Sequence, residues 1–153
     1  MVLFVDDELG ILQSLKRLFR NEPYLVSFVS SGKEALELLT RLQDVAVIVS
    51  DQRMPEMGGT ELLIRSRELA PDAIRMLLTG YSDFEATIHA MNDGGATRYI
   101  SKPWNDKELV QLVRDAVQEY ERKKAARAEM ALLQEQLEEQ QRNQHELVRQ
   151  QTA

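Results

Sequence analysis

Five short apolar runs, each separated from the next by an amphipathic stretch, constrain the fold of this chain more than any other feature. The runs are Val2-Leu3-Phe4-Val5, Leu25-Val26-Ser27-Phe28-Val29, Val45-Ala46-Val47-Ile48-Val49-Ser50, Ile74-Arg75-Met76-Leu77-Leu78-Thr79 and Thr97-Arg98-Tyr99-Ile100-Ser101. Their length and β-branched content read as strands. The first and third are apolar almost throughout, as strands covered on both faces are. Between the runs, Ile11, Leu12, Leu15, Leu18 and Phe19 share one helical face, and so do Ala35, Leu36, Leu38, Leu39 and Leu42. Ser31, Ser82 and Asn105 each stand three residues before a Glu, the pattern of a capped helix start. Strict alternation of strand and helix predicts an α/β fold, a five-stranded parallel sheet doubly wound with helices on both faces. Ligands of such sheets sit at the carboxyl ends of the strands, where the strand order reverses.

The chain of 153 residues has two compositional regions. All seven glycines and all four prolines lie at or before Pro103. From Glu121 onward the sequence is rich in Gln, Glu, Arg and Ala, which sets the expected division at residues 1–120 and 121–153. The helix starting near Asn105 has no stop signal. Met130, Leu133 and Leu137 are spaced as a heptad seam, with Ala126 before them and Gln140, Gln144 and Leu147 after. A long helix with an apolar stripe is marginal alone in water, so the seam predicts a parallel two-stranded coiled coil and a homodimer.

Charge and composition exclude several classes. The net charge of −6 argues against direct nucleic-acid binding, which needs clustered Lys and Arg. No apolar run approaches the roughly 20 residues that span a bilayer, so no membrane partner is expected. There are no cysteines, hence no disulfides or thiolate metal sites, which fits a cytoplasmic protein.

The charged residues fall at the strand ends. Asp6 and Asp7 follow the first run, Asp51 the third and Lys102 the fifth, while Thr79 closes the fourth. One Asp at a strand end is commonly only a turn former. Three carboxylates brought together repel one another and call for a cation. Hard ions such as Mg²⁺ suit a few carboxylates completed by waters and phosphate oxygens.

This constellation resembles the receiver domain of two-component response regulators over roughly residues 1–120. The resemblance rests on the Asp6-Asp7 pair, on Asp51-Gln52-Arg53-Met54-Pro55-Glu56-Met57-Gly58-Gly59, on Thr79-Gly80, and on Tyr99-Ile100-Ser101-Lys102-Pro103-Trp104. It implies a flavodoxin-like sheet of strand order 2-1-3-4-5. It also implies that Asp51 accepts a phosphoryl group from a sensor histidine kinase or phosphotransfer protein. Asp7, Asp51 and the Arg53 carbonyl would hold Mg²⁺ (or Mn²⁺), with Asp6 acting through a metal-bound water. Lys102 and the Thr79 hydroxyl would contact phosphoryl oxygens, and Pro103 would follow a cis peptide. Tyr99 would be the switch aromatic, turning inward as Thr79 moves. That would change the surface formed by the helix expected from Ser82, the fifth strand and the C-terminal helix. Such a domain catalyses only its own phosphorylation and dephosphorylation.

Two features depart from or refine the family pattern. Gly58 stands where most members have an acidic residue, which should alter that loop more than the chemistry. Arg53 and Tyr81 occupy positions that tune acyl-phosphate lifetime in the family, and their bulk predicts slow loss of the phosphoryl group. Asp-Gln-Arg-Met-Pro, Thr-Gly-Tyr-Ser-Asp and Lys-Pro-Trp together resemble receivers attached to HD-GYP phosphodiesterases and to AAA+ activators of the hydrogenase-regulator type. Neither output motif occurs here. Either the chain is part of a longer protein or the coiled coil is the output, and a first strand beginning at residue 2 favours the former.

Alternatives remain in different classes. One is a dimerising interaction scaffold that works without phosphorylation. Another is a Mg²⁺-dependent phosphohydrolase, which would need a second acid two residues after Asp51, where Arg53 stands. His89 and His145 lack any motif that would make them phosphorylation sites, and Trp104 reads as packing.

Overall fold

A computed structural model of the chain describes residues 1–80, 88–89, 92–93 and 95–152. It contains β1 (Val2–Val5), α1 (Leu9–Leu18), β2 (Val26–Val29), α2 (Gly32–Arg41), β3 (Val47–Asp51), α3 (Gly59–Leu69), β4 (Ile74–Thr79), β5 (Ala96–Ser101) and a C-terminal helix (Asp106–Thr152). The strands form one sheet in the order β2-β1-β3-β4-β5, and every pairing is parallel. This is the doubly wound parallel sheet that the alternating pattern predicts, in the flavodoxin-like order that the resemblance implies.

Side chains alternate across each strand, and the two faces build two cores. Phe4, Val47, Val49, Met76, Leu78 and Ile100 pack on one face with Leu15 and Phe19 from the first helical segment and Leu109, Val113 and Ala116 of the C-terminal helix. Leu3, Val5, Ile48 and Leu77 pack on the other with Ala35 and Leu39 of α2 and Leu62 and Leu63 of α3. Each fully buried Leu or Phe contributes about 1.5–3 kcal/mol. β1, β3 and β4 are buried along their whole length, and the polar residues that β3 and β4 carry, Ser50, Asp51, Arg75 and Thr79, are buried with them.

Strand limits differ slightly from the expected ones. β2 starts at Val26, although the Leu25 carbonyl still accepts from the Val2 N–H at 2.8 Å. The Leu25 side chain is 79% exposed, so it adds hydrophobicity to the run without joining the core. β3 starts at Val47 and takes in Asp51. Val45 and Ala46 are buried before the strand proper, where the Ala46 N–H donates to the Met1 carbonyl.

The Ser31 Oγ accepts from the Glu34 N–H at 3.1 Å, and the Asn105 Oδ1 accepts from the Glu108 N–H at 3.1 Å, as their spacing implies. The start expected at Ser82 lies outside the described residues.

The chain divides into two compact units, Met1–Tyr120 and Glu121–Ala153. In the second unit every described residue is exposed, including Met130, Leu132, Leu133, Leu137, Leu147 and Val148.

Candidate functional site

Strand register brings the predicted site together. Val5 pairs with Ser50, which sets Asp6 level with Asp51. Asp51 pairs with Leu78, so Thr79 lies one step beyond. Thr79 pairs with Ser101, so Lys102 lies one step further, and its N–H donates to the Thr79 carbonyl at 2.8 Å. All four reach the same carboxyl edge from four adjacent strands.

The electrostatics follow from that crowding. The Lys102 Nζ lies 2.8 Å from Asp51 Oδ1 and 3.4 Å from Asp6 Oδ2. One carboxylate oxygen from each of Asp6, Asp7 and Asp51 can be chosen so that all three lie within 4.8 Å of one another. The Lys102 ammonium thus pairs with two of the three carboxylates. Asp6 is fully buried, and its Oδ1 accepts from the Glu8 N–H at 2.9 Å. Burial pushes the Asp6 carboxyl above its ordinary range, and repulsion from Asp51 adds to this against the opposing Glu8 N–H and Lys102. Burial acts to lower the Lys102 ammonium, but its hydrogen bond to Asp51 and its attraction to Asp51 and Asp6 outweigh it, so the net shift is upward.

The donor set fits a hard divalent cation. It is all oxygen, carries excess negative charge and has the spacing of ligands around one small ion. Asp6, Asp7 and Asp51 are the side chains that could hold it.

The remaining site residues are placed as follows. Thr79 is buried at the end of β4. Tyr99 on β5 is 54% exposed, so its ring faces outward. Arg53 is exposed on the loop after Asp51. Tyr81 lies outside the described residues. The Lys102–Pro103 peptide is cis, as expected. A cleft of about 400 Å³ beside Lys102 is lined by Ile11, Lys102, Pro103 and Trp104.

Sequence reasoning missed Gln52. Its Oε1 accepts from the Thr60 N–H at 3.0 Å and from Thr60 Oγ1 at 2.8 Å, and its carbonyl accepts from the Gly59 N–H at 3.0 Å. Gly58, the residue before α3, offers no side-chain cap, and that absence was the signal available in the sequence. Gly59 is required by close approach, since a Cβ there would stand 2.3 Å from the Asp51 carbonyl oxygen.

A doubly wound parallel sheet carrying an acidic cluster and Lys102 at its carboxyl edge has its candidate site where α/β domains of this class bind their ligands. The chain belongs to the response regulator receiver domain family, whose model matches residues 2–114. It is 42% identical over 119 residues to the hydrogenase transcriptional regulatory protein HoxA of Bradyrhizobium diazoefficiens, covering 78% of this chain and 24% of that protein. It is 44% identical over 117 residues to HoxA of Cupriavidus necator, covering 76% and 24% respectively. The chain therefore spans about a quarter of the length of these relatives. Among solved structures, it is similar to the signal receiver domain of an HD domain-containing protein from Pseudomonas fluorescens Pf-5. That match has a TM-score of 0.76 and 35% identity, covering 81% of this chain and 90% of that one.

Proposed function

We propose that this receiver domain takes a phosphoryl group onto Asp51 from a sensor histidine kinase or phosphotransfer protein, in a reaction that depends on Mg²⁺ (or Mn²⁺). The observation that carries the reading is the Lys102 ammonium 2.8 Å from Asp51 inside a cluster of three carboxylates. An Asp51 oxygen attacks phosphorus, the new O–P bond forms, and the bond from phosphorus to the donor nitrogen breaks with its electron pair going to nitrogen. A carboxylate nucleophile yields a high-energy acyl phosphate that water can later remove. Asp6, Asp7, Asp51 and the Arg53 carbonyl would hold a divalent cation, which would supply neutralisation of the charge on the transferring group. Lys102 leaves the Asp51 oxygen for a phosphoryl oxygen, and the Thr79 hydroxyl donates to another.

The readout follows from Thr79. As its hydroxyl turns to the phosphoryl group, the Tyr99 ring moves from its outward position toward the space vacated, a two-state change biased by local charge. The surface around β5 and the start of the C-terminal helix changes with it. Arg53 and Tyr81 shield the acyl phosphate. The helix beyond Glu121 pairs with a second copy as a coiled coil, and the domain works in the cytoplasm, with no direct nucleic-acid contact by this chain and no exogenous catalysis.

A second reading, a dimerising scaffold indifferent to phosphorylation, draws on the exposed Met130, Leu133 and Leu137. One experiment separates the two. The wild type and Asp51→Asn are incubated with Mg²⁺ and a small phosphodonor, and intact mass and sedimentation are measured. The switch reading expects a gain of one phosphate that the variant lacks. A dimer that gains no phosphate would support the scaffold instead.

A further inference from the structure

The first turn of every α-helix leaves N–H groups without intrahelical acceptors, and a side-chain oxygen at the preceding residue normally supplies one. α3 is preceded by Gly58, which has none. Gln52 supplies it from outside the helix, through the bonds from Thr60 N–H and Thr60 Oγ1 to its Oε1. Its main chain completes the clamp, accepting from Gly59 N–H at 3.0 Å and donating to the Leu78 carbonyl at 3.1 Å. Residues 53–58 are thus a loop tied at its base, and the tie is the residue bonded to Asp51.

The loop needs such a tie. Glu56 adopts φ 66°, a left-handed conformation that costs a non-glycine residue, and the Met57 N–H reaches back to the Pro55 carbonyl at 2.7 Å. A backbone held in this way relaxes when its anchor is cut.

We propose that Gln52 is a positioning residue for the cation site: by clamping the start of α3 to the Asp51 strand end, it fixes the loop that carries the Arg53 carbonyl. The inference rests on the proposed cation-dependent function. Cutting the side-chain half of the clamp leaves Asp6, Asp7, Asp51 and the main-chain bonds of residue 52 in place but lets the loop sample other conformations, so a cation must pay to order it.

The test is a calorimetric titration of the full chain with Mg²⁺. Gln52→Ala should weaken Mg²⁺ affinity about tenfold, the scale seen when groups that orient a metal's ligands are removed. Gly58→Asp should do little alone yet restore most of the affinity in the Gln52→Ala background, because it returns an acceptor to the residue before α3. Gly58 has φ −76°, open to any residue, and an added Cβ would meet the Gln52 carbonyl at 3.1 Å, so only a small shift is needed. Ser66→Ala loosens the other end of the same helix and should lower thermal stability without changing Mg²⁺ affinity. Wild-type affinity in Gln52→Ala, an equal loss in Ser66→Ala, or no rescue by Gly58→Asp would overturn the proposal. A wild type that binds Mg²⁺ but takes no phosphate would overturn the phosphoryl-acceptor reading while leaving the affinity comparison readable. A wild type that binds no Mg²⁺ would overturn both.

Discussion

Lys102 on the segment after β5 and Asp51 at the end of β3 meet at 2.8 Å although β4 lies between their strands in the sheet. The parallel register advances one residue at each step from β3 to β5, and the long lysine side chain spans what remains. The pair sets a positive charge among the acidic groups of the site, and several expectations depend on it.

Lys102→Met removes the ammonium while keeping most of the side-chain volume. The carboxylates of Asp6, Asp7 and Asp51 are then left to repel one another. In metal-free buffer, denaturant unfolding should show a loss of about 1–3 kcal/mol, less than for a fully buried pair because the lysine is partly exposed. Mg²⁺ should raise the Tm of this variant more than that of the wild type. An equal rise would mean that the lysine and the cation do not share a role.

Asp6 gives a pH dependence whose sign is fixed. Its carboxyl is shifted upward on folding, chiefly by burial. The folded state therefore holds the proton more tightly than the unfolded state. That contribution to stability is present below the ordinary carboxylate value and is lost as pH rises through the raised folded value. Above that raised value, without metal, the ionised Asp6 is a cost. Asp6→Asn should accordingly flatten the fall in metal-free stability as pH rises above the ordinary carboxylate value, while weakening Mg²⁺ binding. A fall in Tm with rising pH as steep in Asp6→Asn as in the wild type would contradict the shift.

Arg75 is buried on β4 and serves the opposite end of α3. Its guanidinium donates to Ser66 Oγ at 2.9 Å, to the Ser66 carbonyl at 3.2 Å, to the Ala73 carbonyl at 2.8 Å and to the Ala70 carbonyl. Burial, with repulsion from Arg67, pushes it down to about 10. It is a second donor to the Ser66 and Ala70 carbonyls, which also accept from the Ala70 and Ala73 N–H groups, and its charge suits that end of the helix dipole. Arg75→Met should cost about 2–4 kcal/mol in equilibrium unfolding, because the Ser66 hydroxyl and three carbonyls each lose a charged donor. A cost within experimental error would show that the helix end repacks.

Tyr24 should respond in the other direction. Its hydroxyl is buried and finds no hydrogen-bond partner among the described residues, and burial pushes the phenol upward. Tyr24→Phe removes the unsatisfied group and keeps the ring. Stability should rise by about 1 kcal/mol, read as a higher urea midpoint at constant slope.

Arg53 bears on timing. If its exposed guanidinium screens the acyl phosphate, Arg53→Asn should shorten the phosphoryl half-life on Asp51, followed by intact mass after removal of the phosphodonor. An unchanged or longer half-life would remove Arg53 from that role.

The sequence by itself determined the layers and the chemistry available to them. Apolar runs of strand length alternating with helical periodicity leave few stable arrangements other than a covered parallel sheet, because each face must be buried. The same pattern put Asp6, Asp7, Asp51, Thr79 and Lys102 at strand ends, since the residues that close an apolar run are the first free to be polar. Local capping at Ser31 and Asn105 was legible because a cap acts over three residues. Only the tertiary structure decided what spans larger separations. It set Lys102 between Asp51 and Asp6, buried Asp6 completely, and turned Arg75 inward to cap α3. It also recruited Gln52 to stand in for the cap that Gly58 lacks. These contacts depend on strand register and on the close approach of helix to sheet, and a one-dimensional pattern carries neither.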